Sequence, residues 1–288
     1  VAILTLVSAQ GGAQESIDEI VVWGSKTDDN FANPSPTNVI NQDDIVSINV
    51  ATTEDVVKFE PSVVIRRRFI GDANGVLGMR GSNMFQSSRS MVFAYGVPLH
   101  YLLQSRWNGA PRWTMVSASE IAQVKVMYGP FSAEYAGNAM GGVMEIETAI
   151  PQDSEFHFDS SYFSQNFDAY GFDDTVTGYK SFASYGNKIG DTSFYLSVNR
   201  LDNDSQPQTF RSGGSVSANL PDSELTAVSG SIRGNDDLGN AVNWFMDTGV
   251  VETETNNYKF KLGHEFGSWS ALLNIAYEDR SSIQDSAN

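Results

Sequence analysis

From Glu120 to Thr148 the chain alternates apolar and polar positions, breaks, and alternates again. Val124, Val126 and Tyr128 interleave with Gln123, Lys125 and Met127; Val143, Glu145 and Glu147 interleave with Met144, Ile146 and Thr148. Period-two alternation over a few residues predicts strands, so this stretch reads as strand, irregular turn and returning strand. Gly129-Pro130 ends the first strand, and Gly137, Gly141 and Gly142 allow close backbone approach in the turn. Upstream, Asp43 to Ile48 reads as a short helix entered through Asn41. Thr53 to Phe59 reads as a second, capped by Thr52, with Glu54 and Asp55 in its first turn and Pro61 at its end. Strands follow at Ser62 to Ile65, Val76 to Arg80 and Met91 to Tyr95, and Ser117 caps a brief helix over Ala118 to Ala122. On these patterns alone the first half is a small α+β domain.

After Pro151 only strand patterns remain. Phe194, Leu196 and Val198 alternate with Tyr195, Ser197 and Asn199, and Tyr258, Phe260 and Leu262 with Lys259, Lys261 and Gly263. Strands are expected near 154–165, 177–186, 192–201, 225–234, 241–251, 257–266 and 269–280. Short connections (Asn187 to Asp191, Asn235 to Asn240, Gly267-Ser268) alternate with long ones (Asn166 to Val176, Asp202 to Glu224). One apolar face per strand, with short turns at one end and long loops at the other, suits an outer-membrane barrel, because lipid cannot satisfy an open sheet edge. A soluble secreted β-sandwich shows the same alternation.

The 288 residues carry a net charge of −17, which argues against nucleic acid, since phosphate binding needs clustered cations. The charge is uneven. Ten Lys/Arg face fifteen Asp/Glu through Ile150, and eight face twenty afterwards. Between Glu60 and Met115 the sign reverses: Arg66, Arg67, Arg68, Arg80, Arg89, Arg106 and Arg112 face only Glu60 and Asp72. Cysteine is absent, which fits an exported bacterial protein. Val1 to Val7 with Ser8-Ala9, and Gly11-Gly12-Ala13 behind it, reads as the tail of a secretory signal; an ordinary buried strand or helix start is the alternative. His100, His157 and His264 have no metal-ligand spacing, no nucleophile elbow appears, and paired carboxylates such as Asp173-Asp174 sit in turns. These patterns point away from an enzyme and towards binding.

Three pieces together resemble the plug domain of TonB-dependent outer-membrane receptors: Gly78-Met79-Arg80-Gly81; Met91 to Pro98, an apolar strand ending in x-G-x-P; and Ile121 to Thr148 with its x-G-P, S-A-x-Y and G-G-V-x-x-I-x-T elements. The resemblance covers Ile17 to about Pro151 and, more weakly, the rest. It implies an α+β plug followed by antiparallel transmembrane strands belonging to a barrel of about 22 strands. The implied division is residues 1–13 remnant of a signal peptide, 14–36 TonB-box segment and linker, 37–151 plug, and 152–288 the first part of an incomplete barrel.

The resemblance further implies active uptake of a scarce, bulky ligand, a metal chelate such as siderophore-iron first among them, through the outer membrane of a Gram-negative bacterium. Cobalamin, haem and glycan are the other ligand classes. Energy comes from the inner-membrane proton gradient through a periplasmic TonB-type coupling protein, with no cofactor, and the protein is expected as a monomer. A plugged-barrel receptor or adhesin without uptake is the alternative. The coupling protein is expected to capture Ile17, Asp18, Glu19, Ile20, Val21 and Val22 by strand addition; an inner strand of the plug sheet is the other reading of those residues. The ligand is expected at the plug apex, against Arg66, Arg67, Arg68, Phe69, Gln86, Arg89, His100, Tyr101, Arg106, Trp107 and Trp113, whose guanidinium forks and rings suit an anionic or polar chelate. The same arginines read equally well as partners of acidic residues lining the barrel wall that hold the plug in place. Arg80, Gly81, Gly129, Pro130, Tyr135, Gly141 and Gly142 are assigned to the structural motif. Tyr95 stands where the family usually has Asp and Tyr128 where it usually has Arg, which puts the usual charged tie between plug and barrel in doubt.

Overall fold

In a computed structural model of the chain the described residues are 2–5, 36–82, 89–100, 110–130, 135, 139–148, 150–213 and 229–284. The first half is built on a five-stranded sheet. Its strands are β2 (Thr37–Asn41), β5 (Ser90–Ala94), β6 (Val97–Pro98), β7 (Ile121–Tyr128) and β8 (Gly142–Thr148), in the order β2-β7-β8-β5-β6. The pair β5 and β8 is parallel and the others are antiparallel. The alternation read from the sequence puts Val124, Val126, Met144 and Ile146 into a core with Ile40, Ile45, Val56, Val57, Leu77, Met79 and Val92. On the opposite face Lys125 reaches Glu147 across the two strands at 2.9 Å.

Helix α1 (Gln42–Ser47) starts where expected: the Asn41 side chain accepts from the Asp44 N–H at 3.0 Å, and Asp44 accepts from the Asn41 N–H at 3.1 Å. The second expected helix is a 3-10 turn, Thr53–Val57, and a third short turn, Ala118–Glu120, is capped by Ser117. Hairpin β3 (Val63–Arg66) with β4 (Val76–Met79) completes this half.

The second half is a single antiparallel wall of long strands: β9 (Glu155–Ala169), β10 (Phe172–Ile189), β11 (Thr192–Ser205), β15 (Val251–Glu265) and β16 (Ser270–Gln284). Residues Ala2–Thr5, at the start of the segment read as a signal remnant, form β1 and pair with Ser161 to Ser164 of β9. Side chains alternate across the wall in the sense a membrane barrel needs. Leu196, Val198, Tyr258, Leu262, Leu273, Ile275 and Tyr277 are exposed on one face. Ser161, Lys180, Ser184, Ser193, Ser197, Asn203, Thr253, Thr255, Lys259 and Lys261 are buried on the other, against the first half. A soluble sandwich would turn the oily face inward. No helix among the described residues is long and apolar enough to cross a membrane, which says nothing of strands.

Two expectations about this wall are corrected. The described part of the pattern near 225–234, and that near 241–251, are not staves: β12 (Phe210–Gly213), β13 (Ile232–Asn235) and β14 (Ala241–Asp247) form a separate sheet in the order β12-β14-β13. Strand β11 instead pairs directly with β15, from Thr192 against His264 to Ser205 against Val251. The long loop expected over Asn166 to Val176 is strand on both sides of a two-residue turn, Tyr170-Gly171, at φ 59° and 85°. Two successive left-handed residues match the twist of a tight hairpin, and Gly171 takes its position without a side-chain penalty. The rings of Phe167, Tyr170, Phe210 and Trp244 fasten the excursion to this hairpin, Tyr170 lying 5.0 Å from both Phe210 and Trp244. The β9–β10 turn and the excursion therefore share one rim, and the β10–β11 and β15–β16 turns share the other.

Candidate functional site

The arginine-bearing segment after β3 is a loop organised by one carboxylate. Asp72 accepts from the Arg68 guanidinium at 2.9 and 3.0 Å, from the Arg68 N–H at 3.0 Å and from the Asn74 N–H at 2.9 Å. Burial pushes the Asp72 carboxyl up, but the Arg68 side chain and the two N–H groups outweigh it and hold it below its ordinary range. Arg67 turns inward to Asp55 at 3.0 Å and Glu54 at 3.4 Å. Burial pulls its guanidinium down and these two carboxylates more than restore it, while burial, opposed by Arg67, raises Glu54. Arg66 is exposed at the end of β3, and Phe69 is buried with the Arg68 guanidinium 5.5 Å from its ring.

The remaining apex residues that are described, Arg89, His100 and Trp113, are not gathered at one surface. The Trp113 indole is 2% exposed and donates to the Gly75 carbonyl at 2.8 Å. His100 is buried, its Nε2 accepting from the Val92 N–H at 2.9 Å. Both side chains are thus engaged inside the plug. Arg89 is exposed, and its carbonyl accepts from the Gly141 N–H at 2.8 Å. Gln86, Tyr101, Arg106 and Trp107, and the expected box at Ile17 to Val22, lie outside the described residues.

The motif residues hold the sheet together. Arg80 at φ 50° and Gly81 at φ 73° turn the chain after β4, and the Arg80 N–H closes the hairpin on the Ser62 carbonyl. Gly129 and Pro130 end β7. Tyr135 donates to Glu145 at 2.9 Å and lies 5.2 Å from the Phe93 ring. A Cβ on Gly141 would sit 2.9 Å from the Met79 carbonyl oxygen, and one on Gly142 2.5 Å from that of Met127, so any side chain at either position would collide with backbone.

Plug and wall meet along a series of polar contacts. Near the rim that carries the excursion, the Arg68, Ile70 and Gly71 carbonyls accept from Gln206 (3.3 Å), Asn203 (3.2 Å) and Arg280 (3.2 Å). A small dry patch lies next to them, where Ala51, Phe163 and Leu201 pack with Ile70. Further along, Ser119 donates to Asp159 at 2.9 Å beside Lys180, Glu120 pairs with Lys259, and Thr148 accepts from Lys261. The wall residues Lys180, Asn203, Lys259, Lys261 and Arg280 were not singled out from the sequence. The available signal was their parity, since each lies on the strand face opposite the apolar one.

The two departures at tyrosine find different partners. The Tyr95 ring lies 4.9 Å from Lys261 and 5.9 Å from Lys259, so it meets the wall as a π-face, and burial drives its hydroxyl pKa far upward. Tyr128 instead donates to Glu60 at 3.2 Å, which also holds the Asn38 amide, so that tie stays within the plug. Burial first, and then Glu60, push the Tyr128 hydroxyl up to about 12.

Comparison with known proteins agrees with this geometry. The family model of the TonB-dependent Receptor Plug Domain matches residues 29–143. Over 123 residues the chain is 28% identical to the vitamin B12 transporter BtuB of Vibrio vulnificus (strain YJ016), covering 43% of this chain and 19% of that protein. The siderophore receptor PirA from Acinetobacter baumannii superposes with a TM-score of 0.60 at 15% identity, over 92% of this chain and 34% of that one. A variant of the ferric enterobactin receptor PfeA from Pseudomonas aeruginosa gives 0.57 at 14% identity, over 86% and 33%. The ferric yersiniabactin uptake receptor FyuA from Yersinia pestis gives 0.54 at 12%, over 88% and 42%. At such identities the structural likeness speaks for the fold, and the chain spans less than half of each of these proteins.

Proposed function

Starting from a chain that belongs with the TonB-dependent receptors, carrying their plug domain and the first antiparallel strands of their barrel fold, we propose that the complete protein imports a bulky, scarce ligand across the outer membrane of a Gram-negative bacterium. A metal chelate such as siderophore-iron is the first ligand class on this reading, with cobalamin, haem and glycan behind it. The supporting observation is the polarity of the wall: apolar side chains face outward, polar ones face inward, and a folded plug occupies the inner side. A filled barrel has no open pore, so the solute crosses only when the plug rearranges, and work must come from outside the membrane. On this reading the ligand rests on the loop Arg66 to Asn74, which lies towards the rim that carries the excursion, and is also contacted by Arg89, Arg106 and Trp107. Its arrival favours release of Ile17 to Val22, which the periplasmic coupling protein takes up by strand addition.

The test is made on the full-length protein. Deleting Ile17 to Trp23 abolishes accumulation of whichever radiolabelled substrate the intact receptor takes up, from a panel of ferric siderophores, haem and cyanocobalamin, while surface binding persists. Undiminished accumulation refutes energised import. For the binding site, Arg66→Ala and Trp107→Ala weaken binding and leave barrel assembly intact; unchanged affinity removes those residues from the site.

A further inference from the structure

The proposed binding and release leave the inward-facing lysines of the wall without a part. In a chain of net charge −17, the charged side chains buried in the five long strands are all lysines: Lys180, Lys259 and Lys261, at 6%, 7% and 0% exposure. His100 aside, the buried acidic or basic side chains among the described residues of the plug are all carboxylates: Glu54, Asp55, Asp72 and Glu120. The two sets face each other. Glu120 pairs with Lys259, a cavity of about 30 Å³ separates Glu54 from Lys180, and Arg280 reaches the loop that Asp72 organises.

Strand register gives the spacing. Lys180 pairs with Leu201, Leu201 with Thr255, and Thr255 with Arg280, so Lys180 and Arg280 flank β15 at the level of Thr255. Lys259 and Lys261 lie four and six residues further along that strand, so the cations span about 20 Å at roughly 3.3 Å per residue. Seating a plug does not require them. Ser184, Ser193, Ser197, Thr253 and Thr255 line the same face, and a hydroxyl costs far less to bury than an ammonium, which loses the hydration of a full charge.

We propose that Lys180, Lys259 and Lys261, with Arg280 level with Lys180, form a cationic track that the plug covers at rest, Glu120 pairing with Lys259 and Thr148 accepting from Lys261, and that an anionic solute takes over when the plug withdraws. The carboxylates leave with the plug. The wall then presents four cations against Asp159, which lies 3.9 Å from Lys180, and Glu278, a net positive charge in a recess whose low-dielectric sides concentrate its field, which draws in carboxylate, catecholate or phosphate groups and disfavours cations. The solute class follows: its transported form carries net negative charge. Only this statement about the solute rests on the import reading.

The track itself is read without nutrient or coupling protein. Full-length receptor is reconstituted in a planar lipid bilayer, the plug is loosened with urea below the concentration that unfolds the barrel, and the reversal potential is measured across a potassium chloride gradient. The expected result is a chloride-to-potassium permeability ratio above one. The ratio falls to parity or below when Lys180→Gln, Lys259→Gln and Lys261→Gln are combined, and it is retained when the three are changed to Arg. Should the triple variant not assemble, Lys261→Gln alone lowers the ratio in the same direction. A wild-type passage that prefers potassium or is unselective overturns the proposal, as does a ratio unmoved by the glutamine changes. Accumulation that survives deletion of Ile17 to Trp23 refutes energised import and leaves this selectivity standing, so the two failures are distinguishable.

Discussion

The Glu120–Lys259 pair ties the plug to the wall, and its removal gives the sharpest energetic test. The two side chains are 3% and 6% exposed. Breaking such a pair by deleting one member leaves the other charge buried and unpaired, at about 3–5 kcal/mol, whereas an exposed pair is worth about 0.2–1 kcal/mol. Glu120 also accepts from the Ser117 N–H at 2.9 Å, closing the turn Ala118–Glu120, so Glu120→Leu loses a cap of about 1 kcal/mol besides the pair. Lys259→Met leaves that cap intact and strands the carboxylate instead. In the double variant no charge is orphaned, and the loss falls to about the cap alone. The expected coupling energy, the two single losses less the double, is therefore at least about 6 kcal/mol, roughly ten-thousandfold in an equilibrium at 1.4 kcal/mol per factor of ten. Hydrogen exchange at the amides of β7 and β8 in the full-length receptor reads it as loss of protection in each single variant and recovery in the double. A coupling below about 1 kcal/mol would mean that the pair behaves as if solvated and that the plug is held elsewhere.

Three further outcomes follow from the plug. Trp113→Phe keeps the ring in the core but strands the Gly75 carbonyl, and costs about 1–3 kcal/mol in denaturant unfolding of the plug. Gly142→Ala drives a Cβ to 2.5 Å from the Met127 carbonyl oxygen and abolishes plug folding, read as protease cleavage within residues 36–150 of an assembled barrel; Gly81→Ala, with nothing within 4 Å of its Cβ, costs only the roughly 1–2 kcal/mol of a left-handed residue. Because the Asp72 carboxyl is held below its ordinary range in the folded plug, its stabilisation is complete above that range and is lost as pH falls through the folded value. Asp72→Asn therefore flattens the fall of plug melting temperature on the acid side, below about pH 4; an unchanged acid limb removes Asp72 from that role.

What could be read from the chain beforehand depended on which force fixed each element. The strands β7 and β8 and the start of α1 are set by local alternation and a local cap, and all three are visible in the sequence. The excursion β12 to β14 shows the same alternation as a stave, yet its described strands pair with one another, because β11 finds a longer register with β15. Partner choice is non-local, and no window of residues contains it. The rings of Trp113 and His100 looked like binding groups because they stand among arginines; their donor and acceptor instead satisfy backbone groups that the folded plug buries. Lys180, Lys259 and Lys261 were open to a parity argument. Recognising them required knowing that the face opposite the apolar one was enclosed rather than wet.

The polarity of that enclosed face bears on whether the plug can move at all. An interface sealed by apolar packing would resist separation in proportion to its buried area, at roughly 25 cal/mol per Å². Among the described residues the clustered dry contact is Ala51, Phe163 and Leu201 with Ile70, and the other ties are the Tyr95 ring against Lys261 and hydrogen bonds and ion pairs whose partners water can satisfy once it enters. Such bonds contribute about 0.5–1.5 kcal/mol each net of solvent. A plug held this way stays seated in the absence of load and yields contact by contact under a directed pull, as the import proposed above would require. Leu201→Ala weakens the dry patch and should therefore lower the force at which a plug pulled from its amino-terminal end gives way, whereas exchanging the outward-facing Leu196 for Ala leaves that force unchanged. Equal forces in the two variants would mean that resistance resides in the plug's own fold rather than in its seat.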